Sequence, residues 1–194
     1  MQDFNIRRLA RSDSLDDLTS MLHRAFSGLG RMGLNCAGID QTPGRTGARV
    51  RLGECLVAVC AGRIVGTATL HKPERRSACC WYRRADVASL HQFAVDPSFQ
   101  GTGCGVALLR AATGWASEHG YLELALETPS QATHLLGFYR SQGFRVVDEL
   151  QFPGRSYRSS VLSRSMDSPA TAGPQRAEDF VRRQPAWCGV MVAA

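Results

Sequence analysis

The run Val95-Asp96-Pro97-Ser98-Phe99-Gln100-Gly101-Thr102-Gly103-Cys104-Gly105 constrains this chain more than any other. An alternating stretch stops at Asp96-Pro97, a glycine-rich turn follows, and Val106, Ala107, Leu108 and Leu109 open an apolar-periodic helix. Strand, glycine turn and helix start in succession form a seat for an anion. Glycines let backbone approach a ligand closely. The free N–H groups and the positive end of the helix dipole then face it. A pyrophosphate fits such a seat, and the chain must fold so as to leave that turn open.

With 194 residues, one domain with a tail is expected. The boundary is placed at 1–166 for the domain and 167–194 for a C-terminal extension. Asp167 to Gln175 reads as a linker, Ala177 to Arg183 as a short helix, and Trp187 to Ala194 as an apolar segment that could dock, pair or meet a second subunit. No apolar run approaches the ~20 residues of a membrane span. The N-terminus lacks the basic and apolar regions of a signal peptide, so a cytoplasmic protein is expected. Seven cysteines show no Cys-x-x-Cys and no histidine at zinc-ligand spacing, so no metal is expected. Cys79-Cys80 offers a redox reading, set against the frequency with which cysteine is simply buried.

The net charge of +6 is carried almost wholly by arginine, Lys72 being the only lysine. A basic balance suits an anionic ligand. Nucleic acid is the weaker reading: the stretch from His71 to Arg84 matches no nucleic-acid module and reads as a solvated loop.

In chain order, Phe4 to Leu9 predicts a strand, and Ser14 caps a helix whose face is Leu15, Leu18, Leu22, Ala25 and Phe26. Gly28-Leu29-Gly30 is expected to stop it. Thr42-Pro43 begins a second, weaker helix ending at Gly53, in a glycine-rich region expected to help form the substrate pocket. Cys55–Cys60 and Ile64–Leu70 predict a hairpin. In Val87–Val95, alternation places Val87, Ser89, His91, Phe93 and Val95 on one face and Ala88, Leu90, Gln92 and Ala94 on the other. A helix from the glycine turn to Gly120, a strand Tyr121–Glu127, a helix capped by Ser130 and stopped by Gly143, and strands Phe144–Phe152 and Tyr157–Arg164 complete the order. This alternation predicts an α/β (α+β) fold, a mixed central sheet of about six to seven strands flanked by about four helices on both faces.

That order, with its glycine turn after the fourth strand, resembles the GNAT superfamily of N-acetyltransferases. Gln100-Gly101-Thr102-Gly103-Cys104-Gly105 is similar to the family's Arg/Gln-x-x-Gly-x-Gly/Ala acetyl-CoA motif. Gly137-Phe138-Tyr139-Arg140-Ser141-Gln142-Gly143-Phe144 resembles its Tyr-x-x-x-Gly-Phe signature, and Leu90 to Pro97 its fourth-strand ending. The dinucleotide pattern Gly-x-Gly-x-x-Gly fails on register, since Val106 or Leu108 stands where the last glycine should. A Walker loop fails for want of Gly-Lys-Ser/Thr.

The resemblance implies an acyltransferase that moves acetyl from acetyl-CoA to a primary amine in a ternary complex. The acceptor is a small molecule or a protein amine. The alternative is a non-catalytic acyl-CoA-binding module of the same fold. No membrane or nucleic-acid partner is expected, and a homodimer is left open. The backbone of residues 101–106 supplies the coenzyme seat, joined by Gln100. The resemblance implies that Phe93, Ala94 and Val95 pair with the pantetheine arm and that an N–H there polarises the thioester carbonyl. It makes Tyr139 the general acid for the leaving thiolate, although most tyrosines at such spacing merely pack. His91 is the candidate general base, with Ser89 ordering a water and Glu127 as runner-up. Ala132 stands where the family often has asparagine, one coenzyme contact fewer.

Overall fold

In the computed structural model, residues 3–166 are described, so the linker, helix and apolar segment expected beyond 166 lie outside the described residues. Seven strands form one sheet: β1 Asn5–Arg8, β2 Glu54–Cys60, β3 Arg63–His71, β4 Val87–Val95, β5 Glu123–Pro129, β6 Arg145–Leu150 and β7 Ser159–Ser165. Their order is β1-β2-β3-β4-β5-β7-β6. Only β4 and β5 run parallel, and the other neighbours are antiparallel. The helices are α1 Leu15–Arg31, α2 Pro43–Val50, α3 Cys104–Glu118 and α4 Thr133–Ser141. The mixed sheet with helices on both faces is as expected.

Local chemistry sets several boundaries. Ser14 Oγ accepts from the Asp17 N–H (3.1 Å) and Thr42 Oγ1 from the Arg45 N–H (3.2 Å), so both predicted N-caps form. The glycine stop at 28–30 does not: α1 runs on to Arg31. Packing outweighs the roughly 1 kcal/mol that each helical glycine costs. Gly30 packs against Ile39 of the turn Ala37–Ile39, where a Cβ would stand at ordinary van der Waals distance, 3.5 Å. The second helix ends at Val50, before Gly53. Ser130 does not cap α4; Ala132 holds that position, and the Ser130 hydroxyl bonds the Ser160 hydroxyl (2.9 Å) instead.

Two apolar layers flank the sheet. On one side Ala88, Leu90 and Val95 pack with Leu108, Leu109 and Ala112 of α3 and with Tyr139 of α4. On the other, Leu18, Met21 and Leu22 of α1 cover Cys55, Val57 and Ala94. Strand β4 therefore changes faces along its length. Leu90 and Val95 lie on the α3 side and Ala94 on the α1 side, against the single-face alternation expected for Val87–Val95. The reason is a bulge. Pairing steps from Thr67–Ala94 to Thr69–His91, so two β4 residues oppose one on β3, and Gln92 takes φ 46°. One extra residue inverts the side-chain parity of everything after it. Phe93 thus leaves the face of His91 and packs with the α3 layer.

The loop from Pro73 to Arg84 is solvated, as expected, at Arg75, Arg76 and Arg83, but it also carries a buried side. Cys79 and Tyr82 are buried and pack with Val87, Ala125 and Val161. Burial pushes the Cys79 thiol up to about 11, which leaves almost no thiolate for redox chemistry. Arg84 is committed to Asp86 (2.6 Å) and stacks over Trp81, 4.4 Å from the ring centre.

Parallel pairing of β4 with β5 covers only Val87–Leu90 against Glu123–Leu126. Beyond Leu90 the two strands part, β5 continuing on β7 and β4 on β3. The gap leaves the β5-facing edge of His91–Val95 open to a ligand, and two cavities lie there.

Candidate active site

The first cavity, about 690 Å³, lies between the glycine turn, the open end of β4, α1 and α4. Its walls include Phe93, Ala94, Val95, Gln100, Gly101, Gly103, Gly105 and Val106, eight of the ten residues expected to bind the coenzyme. Thr102 and Cys104 are not in the wall. The Thr102 hydroxyl donates to the Phe99 carbonyl (2.7 Å), and the Cys104 side chain is buried in the α3 layer. Their place in the site is through backbone alone. Gly101 and Gly103 take φ 75° and 90°, which L side chains resist. Gly105 has ordinary backbone, but a Cβ there would sit 3.6 Å from Phe138 and Val95, inside the cavity wall.

The first helical N–H to reach back is that of Ala107, to the Gly103 carbonyl (3.0 Å). The N–H groups of Cys104, Gly105 and Val106 precede it and have no helical acceptor, which is the anion seat expected from sequence. Gln100 Nε2 donates to the Val95 carbonyl (3.2 Å) and ties the turn to the strand end. Asp96 accepts from Ser98 N (3.1 Å), Ser98 Oγ (2.7 Å) and Arg24 Nε (2.8 Å), fixing the turn to α1. Burial alone would raise the Asp96 pKa, but Ser98 and Arg24 outweigh it and hold the carboxyl below its ordinary value. Arg24 and Arg31 of α1 add positive charge to the same cavity.

A second, smaller cavity opens on the other side of the gap, among α1, α2, β4, β5 and the β6–β7 connection. Leu22, Gln41 and Arg49 line it from the helical side, and His91, Glu127 and Arg155 from the sheet. Phe26, Leu29, Phe93, Leu135 and Tyr139 belong to both cavities. The two meet there, and a group reaching in from the coenzyme side would encounter one from the other at these residues.

Tyr139 is 6% exposed, and its ring meets Phe138 and Phe144 edge to face. Nothing among the described residues hydrogen-bonds its hydroxyl. Burial raises its pKa well above that of a free tyrosine, so it stays protonated.

His91 is fixed from behind. Its Nε2 lies 2.8 Å from Ser89 Oγ and 3.2 Å from Glu74 Oε1. Glu74 also takes His71 Nδ1 at 3.2 Å. Hydrogen bonds from His71, and then from His91, hold the Glu74 carboxyl well below the usual carboxylate range. An ionised oxygen facing a bare ring nitrogen would set lone pair against lone pair, so His91 Nε2 carries the proton and Nδ1 keeps its lone pair. Burial lowers the His91 pKa, with Glu74 opposing, so the ring is neutral near pH 7. Ser89, 2% exposed, sits beneath His91 and lines neither cavity. Its hydroxyl is engaged by the imidazole rather than by a water in the pocket, as the sequence reading had it.

The ligand-type atoms of His71, Glu74 and His91 lie within 4.8 Å of one another, a spacing open to a cation. The two imidazoles, however, stack at 4.2 Å and 24°, which sets their in-plane lone pairs side by side. Two N–H groups donating to one carboxylate account for that arrangement better than a shared metal. Sequence reasoning missed Glu74, whose only signal was a position four residues beyond the expected hairpin partner strand. It missed Arg49 and Arg155 too, which nothing in the sequence separates from the other arginines.

The sequence model of the acetyltransferase (GNAT) family matches residues 38–144, from the turn before α2 to the end of α4. No curated protein sequence matches. Among solved structures, a protein of Pyrococcus horikoshii superposes with a TM-score of 0.67 at 20% identity, covering 84% of this chain and 98% of that one. The ribosomal-protein-S18-alanine N-acetyltransferase of Escherichia coli gives 0.64 at 18%, covering 86% and 96%. A GNAT family acetyltransferase of Elizabethkingia anophelis, solved with acetyl-CoA bound, gives 0.61 at 17%, covering 85% and 99%. At these identities the likenesses speak for the fold, while the family match spans more than half of the chain and includes the glycine turn. No helix among the described residues is long and apolar enough to cross a membrane. The protein belongs to the GNAT family of acetyltransferases.

Proposed function

We propose that the protein transfers an acetyl group from acetyl-CoA to a primary amine with both substrates bound together. The observation that carries this is the meeting of the two cavities at Phe93, Leu135 and Tyr139. One cavity has an anion seat and the other has titratable groups, and a protonated tyrosine stands between them. Acetyl-CoA supplies the acyl group as a thioester. The N–H groups of residues 103–106 fit its pyrophosphate, and the unpaired β4 edge past Leu90 fits its pantetheine arm as an added strand. A β4 N–H near the bulge is placed to stabilise the developing oxyanion, a role worth a few kcal/mol.

His91 takes the proton that the acceptor ammonium must lose before attack, using the Nδ1 lone pair that Glu74 leaves free. Tyr139 protonates the departing sulfur. The thioester C–S bond breaks and the amide C–N bond forms. Of the two protons the ammonium loses, one leaves by way of His91, and the second compensates the proton Tyr139 has given to sulfur. A tyrosine of raised pKa is a weak acid in water, but the desolvation that raises it also raises the thiolate beside it. The transfer is therefore closer to balanced than free-solution values of ~10 and ~8.5 suggest.

The reading is tested by following free thiol release from acetyl-CoA across an amine panel, together with thermal unfolding in the presence of acetyl-CoA. Transfer predicts both a thermal shift and thiol release. Tyr139→Phe should lower kcat by ~10²-fold or more with the coenzyme shift retained. A full coenzyme shift without thiol release from any amine would instead mark a non-catalytic acyl-CoA-binding module.

A further inference from the structure

The acceptor cavity carries a charge pattern that amine acetylation alone does not require. Arg49 enters it from α2 and Arg155 from the β6–β7 connection, 106 positions apart in the chain. Both are half-buried, and neither lies within ion-pair distance of a carboxylate among the described residues. Burial, followed by the positive charge of Arg155, holds the Arg49 pKa below its ordinary value. Two guanidiniums face one small space, partly desolvated, and are opposed at longer range by the single carboxyl of Glu127, so the cavity keeps an excess of positive charge that favours an anion.

Their positions are built rather than incidental. Arg49 Nη1 donates to Gln41 Oε1 (3.3 Å), and Gln41, 2% exposed, is itself fixed by Nε2 to Thr46 Oγ1 (2.8 Å). Arg155 Nη1 donates to the Asn35 carbonyl (2.7 Å), and its guanidinium lies 5.9 Å from the Tyr157 ring centre. The Asn35 side chain in turn holds Gly154 O (2.8 Å) and Ser156 N (2.8 Å), pinning the Arg155 segment to the connection after α1. Each arginine spends one N–H on the protein and keeps the rest of its donor fork, the geometry that recognises planar oxyanions. Beside them Glu127 has a buried Oε2 without a partner, and His91 lines the same wall.

We propose that Arg49 and Arg155 bind an oxyanion on the acceptor, which is then a compact amino-acid-like molecule. Its carboxylate bridges the two guanidiniums, and its ammonium lies toward Glu127 and His91. The proposal rests on reading this cavity as the acceptor pocket. It adds a requirement that the amine carry an anionic group within a few bonds. Glu127 then meets the ammonium, and the cavity's two positive and one negative side chains are complemented by one zwitterion.

The test uses matched acceptors that differ only in that group: α-amino acids, their α-carboxamides, the corresponding decarboxylated amines and aminoalkyl phosphates. Thiol release from acetyl-CoA should favour an acid over its carboxamide by at least ~10²-fold in kcat/KM, as a site built to pair a group rejects the analogue lacking it. Arg49→Gln and Arg155→Gln should each erase most of that preference, mainly through KM, while the acetyl-CoA thermal shift stays as it was. A preference for aminoalkyl phosphates over amino acids would assign the oxyanion as phosphate and keep the role of the pair. Carboxamides or plain amines used as well as the acids would overturn it, and so would an unchanged preference in both variants. Calorimetric titration of the amino acids into the protein with coenzyme A separates this from the transfer reading. Binding of acids but not carboxamides, with no turnover of any amine, would retain the anion site and remove the transferase. Binding of neither, with plain amines turned over, would do the reverse.

Discussion

His91 and Glu127 share a cavity wall but are tuned in opposite directions. Burial lowers the imidazole below its ordinary 6.5 and raises the carboxyl above its ordinary 4.5. A base that must be unprotonated gives kcat an ascending limb, and here burial of His91 should move that limb to lower pH than a free imidazole gives when acceptor is saturating. The two residues are separated by what else they touch. The proton on His91 Nε2 is held by Glu74, leaving the opposite nitrogen to act, whereas Glu127 Oε2 has no partner and suits an ammonium. His91→Gln should therefore lower kcat by ~10²-fold and flatten the limb. Glu127→Gln should act mainly on the acceptor KM and leave the limb in place. A kinetic pH series on both variants checks this, and a limb lost only in Glu127→Gln would transfer the role of base to that carboxylate.

At the scale of elements, the glycine turn separates two physical demands that a sequence motif merges. Gly103 is needed for its backbone, since φ is 90° and a Cβ there would meet nothing within 4 Å. Gly105 is needed for space, since its backbone is helical and its missing side chain leaves the cavity wall open. Gly103→Ala should thus cost ~1–2 kcal/mol of stability through left-handed strain. Gly105→Val should leave the ligand-free melting temperature within a few degrees while weakening acetyl-CoA at least ~10-fold. Melting curves and coenzyme titration of the two variants distinguish the roles, and equal loss of stability in both would refute the division.

The turn was legible because glycine, Asp-Pro and helix periodicity are local signals, and so were the capped starts of α1 and α2 and the limits of β4. The β4 bulge was not legible. Nothing in Ser89-Leu90-His91-Gln92-Phe93 marks Gln92 for positive φ, and the inversion arises from pairing with Thr67 and Thr69 on another strand. The continuation of α1 through Gly28 and Gly30 and the burial of Tyr82 depend likewise on partners distant in sequence. The same holds for the acceptor side of the site. Tyr139 and His91 could be named from motif and strand position, while Glu74, Arg49 and Arg155 reach the pocket by tertiary contacts that no local spacing encodes.

Across the fold, four carboxylates among the described residues are paired and held below their ordinary pKa. Arg7 does this to Asp13 between β1 and the start of α1, and Arg84 to Asp86 before β4. His71 and His91 do it to Glu74, and Ser98 with Arg24 outweigh burial at Asp96. Unfolded, such groups titrate near ~4, so between the folded and unfolded values the native state binds fewer protons. Their stabilisation is present above that range and is lost as pH falls through the folded values. Glu127 has the opposite sign. Its folded pKa is raised, so its penalty is felt at neutral pH and disappears once it is protonated. The melting temperature should therefore hold from about pH 7 to 5 and fall steeply from about 5 to 3, where carboxylates of this kind titrate. Glu127→Gln should melt higher than the parent at pH 7, with the difference closing toward pH 4. Such a gain would mark the carboxylate as retained for the acceptor at a cost to the fold, as expected of a group kept for function. A variant that melts lower at pH 7 would show instead that Arg49 and Arg155 stabilise Glu127 more than burial disfavours it, and would make the three a structural charge cluster.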